Sequence, residues 1–127
     1  VSHSGYHKHG AYLLDNADLP GFSFEEQNWM SVLVRCHRKR ISQELFDTLP
    51  SHSFQTAVRL TVLLRLAAML HRSRKDERAA IQNLTPMDNG LKIQFGKNGL
   101  KNHPLQLVSL RQEAEYLKEV AFQLEYS

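Results

Sequence analysis

The segment SFQTAVRLTVLLRLAAMLHRSR, residues 53–74, restricts the fold of this chain more than any other. Apolar residues cover nearly all sides of its middle, and Arg59 and Arg65 are the only charged residues before its basic end. A helix that is apolar all round is stable in a globular protein only when other elements cover it. The segment therefore predicts a long central helix around which the other elements of a domain pack.

Length and composition indicate a globular chain, since 42% of its 127 residues are apolar and 23% are charged. We see no signal peptide and no apolar run of the roughly 18–20 residues that cross a bilayer, so we predict a cytoplasmic protein without an integral membrane segment. The single cysteine, Cys36, excludes an intrachain disulfide, and its place at a helix end favours a buried, unreactive thiol. Because the chain begins with Val1 and opens directly into patterned sequence, we expect a fragment of a longer protein.

Helices separated by turns are predicted before the central helix. The first covers residues 4–17 and ends at the LPGF turn, because Pro20 disfavours helix in the residue before it. Ser23 and Glu26 have the spacing of a capping box, which starts a second helix from Phe24 to about Arg38. We expect the buried faces of these helices to include Tyr6, Ala11, Tyr12, Leu14, Trp29, Val32, Leu33 and Cys36.

The hydrophobic period changes after residue 75. AAIQNLTPM and LKIQF alternate in polarity across the turn residues MDNG, which predicts a β-hairpin. PLQLVS reads as a third strand, Ser109 and Gln112 as a capping box opening a helix, and FQLEY as a last strand. The predicted fold class is α+β, with a mainly helical lobe over residues 1–75 followed by a small antiparallel α+β lobe over residues 76–127.

Positive charge is concentrated in the first of these lobes, where ten Lys and Arg face six Asp and Glu; the second lobe has six against seven. The sequence VRCHRKR packs five potential cations into six residues, which repel one another unless something offsets them. They form either a solvated helix end that complements the helix dipole or a phosphate-binding patch. No aromatic residues for stacking are interleaved, which argues against single-stranded nucleic acid. The candidate polyanion-binding residues are Arg35, Arg38, Lys39, Arg40, Arg65, Arg72 and Arg74.

Three histidines stand near the start of the chain. His3 and His7 are four residues apart, so on a helix they share a face as metal-binding pairs do, whereas His9 points elsewhere. No third ligand and no carboxylate base accompany them, so we predict no metal site in this chain. Glycine-rich phosphate loops, nucleophile elbows and paired carboxylates in an apolar setting are also absent from the sequence.

Three segments, HSGYHKHGAYLLDNADLPGFSFEEQ, LVRCHRKR and LLRLAAMLHRSR, resemble in this order and spacing the C-terminal region of the exopolyphosphatase/guanosine pentaphosphatase (Ppx/GppA) phosphatases. The resemblance implies a helical domain related to HD-type phosphohydrolases, followed by a small α+β domain. It also implies that the actin-like N-terminal lobes, with the catalytic glutamate and the magnesium site, lie outside this chain.

The resemblance also identifies positions of the HD-type metal centre. A histidine opens the corresponding helix in metal-binding HD domains, which matches His7, and another histidine matches His37. The later helix of HD enzymes carries an aspartate ligand where this chain has Ala68. Alanine cannot coordinate a metal, so the resemblance implies a degenerate centre without catalytic residues.

On this resemblance we expect a C-terminal domain that binds polyphosphate or guanosine pentaphosphate for a parent enzyme and contributes to a homodimer. The parent would hydrolyse terminal phosphoanhydride or 5′-phosphate bonds with magnesium, and this fragment would need no cofactor and would itself be inactive. The alternatives are an autonomous metal-dependent HD-type phosphohydrolase and a purely structural dimerisation module.

Overall fold

The computed structural model describes residues 6–73 and 78–127, so the candidate residues His3 and Arg74 lie outside the described ranges. The chain divides into two compact units, residues 1–66 and 67–127. The predicted division after residue 75 stays a prediction. The helices and strands are α1 (Tyr6–Asn16), α2 (Phe24–Cys36), α3 (Gln43–Asp47), α4 (Phe54–Arg72), β1 (Ile81–Met87), β2 (Gly90–Phe95), α5 (Pro104–Leu117) and β3 (Gln123–Tyr126).

In the first unit, α1 and α2 pack side by side in opposite directions. The side chain of Gln27 near the start of α2 donates to the carbonyl of Ala17 just after α1, at 2.7 Å. One turn further along α2, the hydroxyl of Ser31 donates to the carbonyl of Ala11, at 3.0 Å. Gly10 permits this close packing, because a Cβ there would lie 3.1 Å from a methyl of Val34. The arrangement places the first turn of α1 beside the last turn of α2.

The start of α2 is the predicted capping box. The hydroxyl of Ser23 accepts from the Glu26 amide at 3.1 Å, and the Glu26 carboxylate accepts from the Ser23 amide at 3.0 Å. Gly21, with φ of 88°, makes the preceding turn. The buried face differs in part from the prediction: Tyr12 is 63% exposed, and Trp29 and Leu33 are half-buried beside a surface cleft.

The predicted central helix forms as α4, but it is buried on one face only. Ala57, Val58 and Val62 are core residues, whereas Leu63 is 50% exposed. By length and composition, Ser51–Arg72 is the one helix of the described residues that could cross a membrane, with a mean hydropathy of 1.3. A core helix of a globular domain meets the same criterion, and α4 contributes its inner face to the core of the first unit.

The second unit contains a three-stranded sheet in the order β1–β2–β3. β1 and β2 form the predicted antiparallel hairpin around Asp88 and Asn89, and the last strand is confirmed as β3. β3 pairs parallel to β2, with Gly90 opposite Gln123, so the sheet is mixed and the predicted antiparallel sheet is wrong. The connection through α5 is long enough to return the chain in the same direction, which a short hairpin cannot do. The α+β class is confirmed.

The third predicted strand is wrong, because PLQLVS forms the beginning of α5. Pro104 occupies the first turn of this helix, where its missing amide hydrogen costs nothing. The buried positions Gln106, Leu110, Glu113 and Leu117 follow the helical period, whereas the alternation of Leu105 and Leu107 suggested a strand. Ser109 consequently lies inside α5 and caps nothing.

A substitution at Gly90 tests the close pairing of β2 with β3. A Cβ at this position would lie 2.3 Å from the carbonyl oxygen of Gln123, so Gly90→Ala must displace backbone. We expect the substitution to lower the free energy of unfolding by about 1–3 kcal/mol, measured by urea denaturation. Gly96→Ala is the control, since its Cβ would meet only the Gln82 side chain at 3.4 Å. Equal stability of the two variants would contradict the register of β3.

Candidate functional site

A cavity of about 510 Å³ in the first unit is lined by four cationic side chains. The first turn of α1, the last turn of α2 and the loop between α2 and α3 each contribute side chains to its wall. No carboxylate is among the described residues that line it. We call this cavity the basic pocket, and its polar wall consists of His7, Lys8, Arg35, Lys39, Arg40 and Ser42.

The structure therefore brings together Arg35, Lys39 and Arg40 of the predicted patch. Arg38 is half-buried, interacts with another group of the protein and does not line the pocket. Arg72 is exposed at the end of α4 and belongs to the second unit. The positions of these residues do not test whether they bind an anion, so their anion-binding roles stay predictions.

Arg65, which we predicted as an anion ligand, lies inside the protein. Its side chain is 1% exposed, and its guanidinium donates to the carbonyl oxygen of Cys36 at 2.6 Å and to that of Lys39. The last carbonyls of a helix have no partner within the helix, and a planar guanidinium supplies directed donors for them. Arg65 is therefore not among the residues that we propose to bind an anion. The sequence feature that indicates a buried Arg65 is its position as a charged residue within the apolar run LTVLLRLAAML of the central helix.

The carbonyls at the end of α2 thus have donors other than the exposed cations. His37 is the C-cap residue, and its backbone amide bonds to the carbonyl oxygen of Val34. The Nδ1 atom of His37 contacts the same oxygen. His37 and Arg65 thus supply donors to the carbonyls of Val34 and Cys36, while Arg35, Lys39 and Arg40 line the basic pocket. The anion-binding patch and the solvated helix end that complements the dipole both remain predictions for these side chains.

His7 is the most deeply buried residue of the pocket wall, at 4% exposure. Its Nδ1 atom has no hydrogen-bond partner within the described residues, and its ring lies edge-on to that of His37, with centroids 6.4 Å apart. Burial lowers the pKa of His7 below 6.5, and the positive charges of His37, Lys39, Lys8 and Arg38 lower it further. His7 is consequently a neutral imidazole at neutral pH.

Among the HD-type positions, His37 lies beside His7 in the first unit. Ala68 lies in the part of α4 that belongs to the second unit, and His9 is exposed on α1. Across residues 6–73 and 78–127, no group of three or more His, Cys, Asp or Glu side chains could hold a metal ion. The predicted degenerate metal centre stays a prediction.

Cys36 is confirmed as a buried thiol, with 0% exposure. Burial raises the pKa of this thiol, which lowers the fraction of reactive thiolate at neutral pH. Sequence reasoning missed Lys8 and Ser42 as members of the pocket wall. Lys8 could have been found, because it stands between the two histidines of YHKH in a helix whose first turn has no acidic residue.

The family model for domain III of the Ppx/GppA phosphatases matches residues 1–114. The chain belongs to the Ppx/GppA phosphatase family. It is 34% identical over 124 residues to the guanosine-5'-triphosphate,3'-diphosphate pyrophosphatase of Pseudoalteromonas translucida, covering 98% of this chain and 25% of that protein. It is 30% identical over 120 residues to the protein of the same name from Vibrio atlanticus, covering 92% of this chain and 23% of that protein. The chain thus spans about a quarter of the length of these relatives, and the predicted family is confirmed.

Replacing Arg65 tests its structural role. Arg65→Met keeps the length of the side chain but leaves two carbonyl oxygens without their donor, so we expect a loss of about 2–4 kcal/mol in the free energy of unfolding. The exposed Arg72→Met should change it by no more than about 0.5 kcal/mol. Urea denaturation of both variants measures the difference. Similar losses would contradict the assignment.

The pKa of His7 predicts a dependence of stability on pH. The unfolded chain binds a proton at His7 below about pH 6.5, whereas the folded chain binds it only at lower pH. The contribution of neutral His7 is fully present above that pH and is lost as the pH falls toward the folded pKa. We expect His7→Gln to lose less stability than the unmodified chain between about pH 7.5 and pH 5.5. The control is His9→Gln, on the exposed side of α1, which should lose as much stability over this pH range as the unmodified chain does. Thermal unfolding at each pH measures the stability of all three proteins.

Proposed function

We propose that this chain is the C-terminal polyanion-binding part of a phosphoanhydride hydrolase that acts on guanosine pentaphosphate or polyphosphate. The observation that carries the proposal is the basic pocket, whose described wall holds four cationic side chains and no carboxylate. Membership of the Ppx/GppA family supports the choice of a phosphate-rich anion, as do relatives named guanosine-5'-triphosphate,3'-diphosphate pyrophosphatase.

The contribution of this chain is binding rather than bond cleavage. Arg35 and Arg40 have guanidinium groups that can each grip two phosphate oxygens, while the ammonium groups of Lys8 and Lys39 add point charges. Several cations around one concavity raise the local concentration of an anion and speed its capture. The chemical step belongs to lobes of the parent outside this chain, where magnesium would stabilise the charge of the reacting phosphate.

The proposal includes a cytoplasmic parent that acts as a homodimer, in line with the family resemblance. Dimerisation is measured by light scattering of the parent. Metal-dependent turnover by this chain alone would instead support an autonomous HD-type hydrolase, and would overturn the division of labour proposed here.

A binding experiment tests the role of the pocket. We expect linear polyphosphate and guanosine pentaphosphate to bind this chain by isothermal titration calorimetry, with an affinity that falls as salt rises from about 20 to 200 mM, because screening shortens the reach of the pocket charges. Arg35→Ala combined with Arg40→Ala should weaken binding by about tenfold or more.

The matched control removes the same charge elsewhere. Lys97→Ala combined with Lys101→Ala takes two exposed cations from the second unit and leaves the basic pocket intact. Its affinity should stay within about twofold of the unmodified chain. Absence of binding at low salt, or an equal loss in both double variants, would overturn the proposal.

A further inference from the structure

Cationic side chains from three segments of the chain line one concavity, the basic pocket. Lys8 comes from α1, Arg35 from α2, and Lys39 and Arg40 from the loop that follows. The terminal phosphate of a chain or monoester carries about two negative charges and three acceptor oxygens. A phosphate inside a chain carries less charge, and two of its oxygens are bonded to neighbouring phosphorus atoms. Convergent donors therefore fit a terminal group better than an interior one.

The loop that supplies two of these cations is held in a strained conformation. Lys39 has φ of 59°, in the left-handed region that is unfavourable for a residue other than glycine. Its carbonyl oxygen accepts from the buried guanidinium of Arg65, which keeps the backbone in place. Strained backbone that the surrounding structure enforces is common where a ligand is gripped. The strain thus agrees with a pocket whose donors are arranged before the ligand arrives.

His7 adds a donor of a different kind to the wall. Nδ1 of His7 is buried and no described residue bonds to it. An unpaired buried acceptor costs less than an unpaired buried donor, so the favoured neutral tautomer has its proton on Nε2. Nε2 makes no hydrogen bond with the described residues, and His7 lines the basic pocket. An Nε2 proton can be given to an acceptor oxygen, which a phosphate supplies.

We propose that the basic pocket binds the terminal phosphate group of a phosphate chain or phosphomonoester, and that His7 donates a hydrogen bond from Nε2 to one of its oxygens. This inference rests on the proposed function, and it names the part of the polyanion that the pocket selects. His7 is a specificity-determining residue in this scheme, because it adds a donor for the third non-bridging oxygen, which a terminal phosphate has and an interior phosphate lacks. The cations alone attract any polyphosphate.

Linear tripolyphosphate and cyclic tetrametaphosphate separate the two possibilities, since they have similar charge near neutral pH and only the linear molecule has terminal phosphates. We expect this chain to bind the linear probe at least about tenfold more tightly in calorimetric titrations. His7→Phe should remove most of that preference while retaining salt-dependent binding of both probes. His9→Phe, next to the pocket residues in sequence but exposed, should retain the preference.

An NMR measurement on the unmodified chain tests the role of His7 even if the His7→Phe variant does not fold. The imidazole resonances of His7 should shift on saturation with the linear probe and should not shift with the cyclic one. Equal affinities for the two probes, or unmoved His7 resonances, would overturn this inference and leave the proposed function standing. Failure to bind either probe at low salt would overturn both.

Discussion

The buried guanidinium of Arg65 is the interaction on which the candidate site depends. It joins α4 to the end of α2 by donating to carbonyl oxygens that lie 29 and 26 residues earlier in the chain. One of these is the carbonyl of Lys39, whose left-handed backbone turns the chain toward α3. A charge this deeply buried is stable only when its donors are satisfied, so the position of the loop and the packing of α4 stabilise each other.

The cationic side chains of the first unit have different structural roles, and the burial of Arg65 separates its role from that of the others. Arg65 and His37 contact the carbonyl oxygens of Cys36 and Val34 at the end of α2, whereas four exposed cations, Lys8, Arg35, Lys39 and Arg40, line the basic pocket. Arginines and lysines in one cluster are commonly interpreted together, yet burial and partner decide what each does. Here Arg65 is buried with carbonyl partners, whereas the cations of the basic pocket are exposed, and His7 stays neutral because it is buried beside them.

Much of the fold could be predicted because its determinants are local. The capping box of Ser23 and Glu26, the hairpin turn of Asp88 and Asn89, and the apolar run of α4 each involve neighbouring residues. The start of α5 was missed for a local reason too, since the alternation at Leu105 and Leu107 competes with the helical period of the residues that follow. The candidate site was predicted in part: the cluster around Arg35 was found, and Lys8 was not.

The sequence by itself determined where helices begin, where the hairpin turns and which half of the chain is basic, because capping, alternation and charge depend on adjacent residues. The tertiary structure alone decided that Arg65 turns inward, that β3 runs parallel to β2, and that His7 lies beside His37. Each of these depends on groups far apart in the chain, whose distances are set by packing. The sequence shows which residues are cationic. Only the folded structure decides whether a cationic side chain is buried with a partner, as Arg65 is, or lines a pocket.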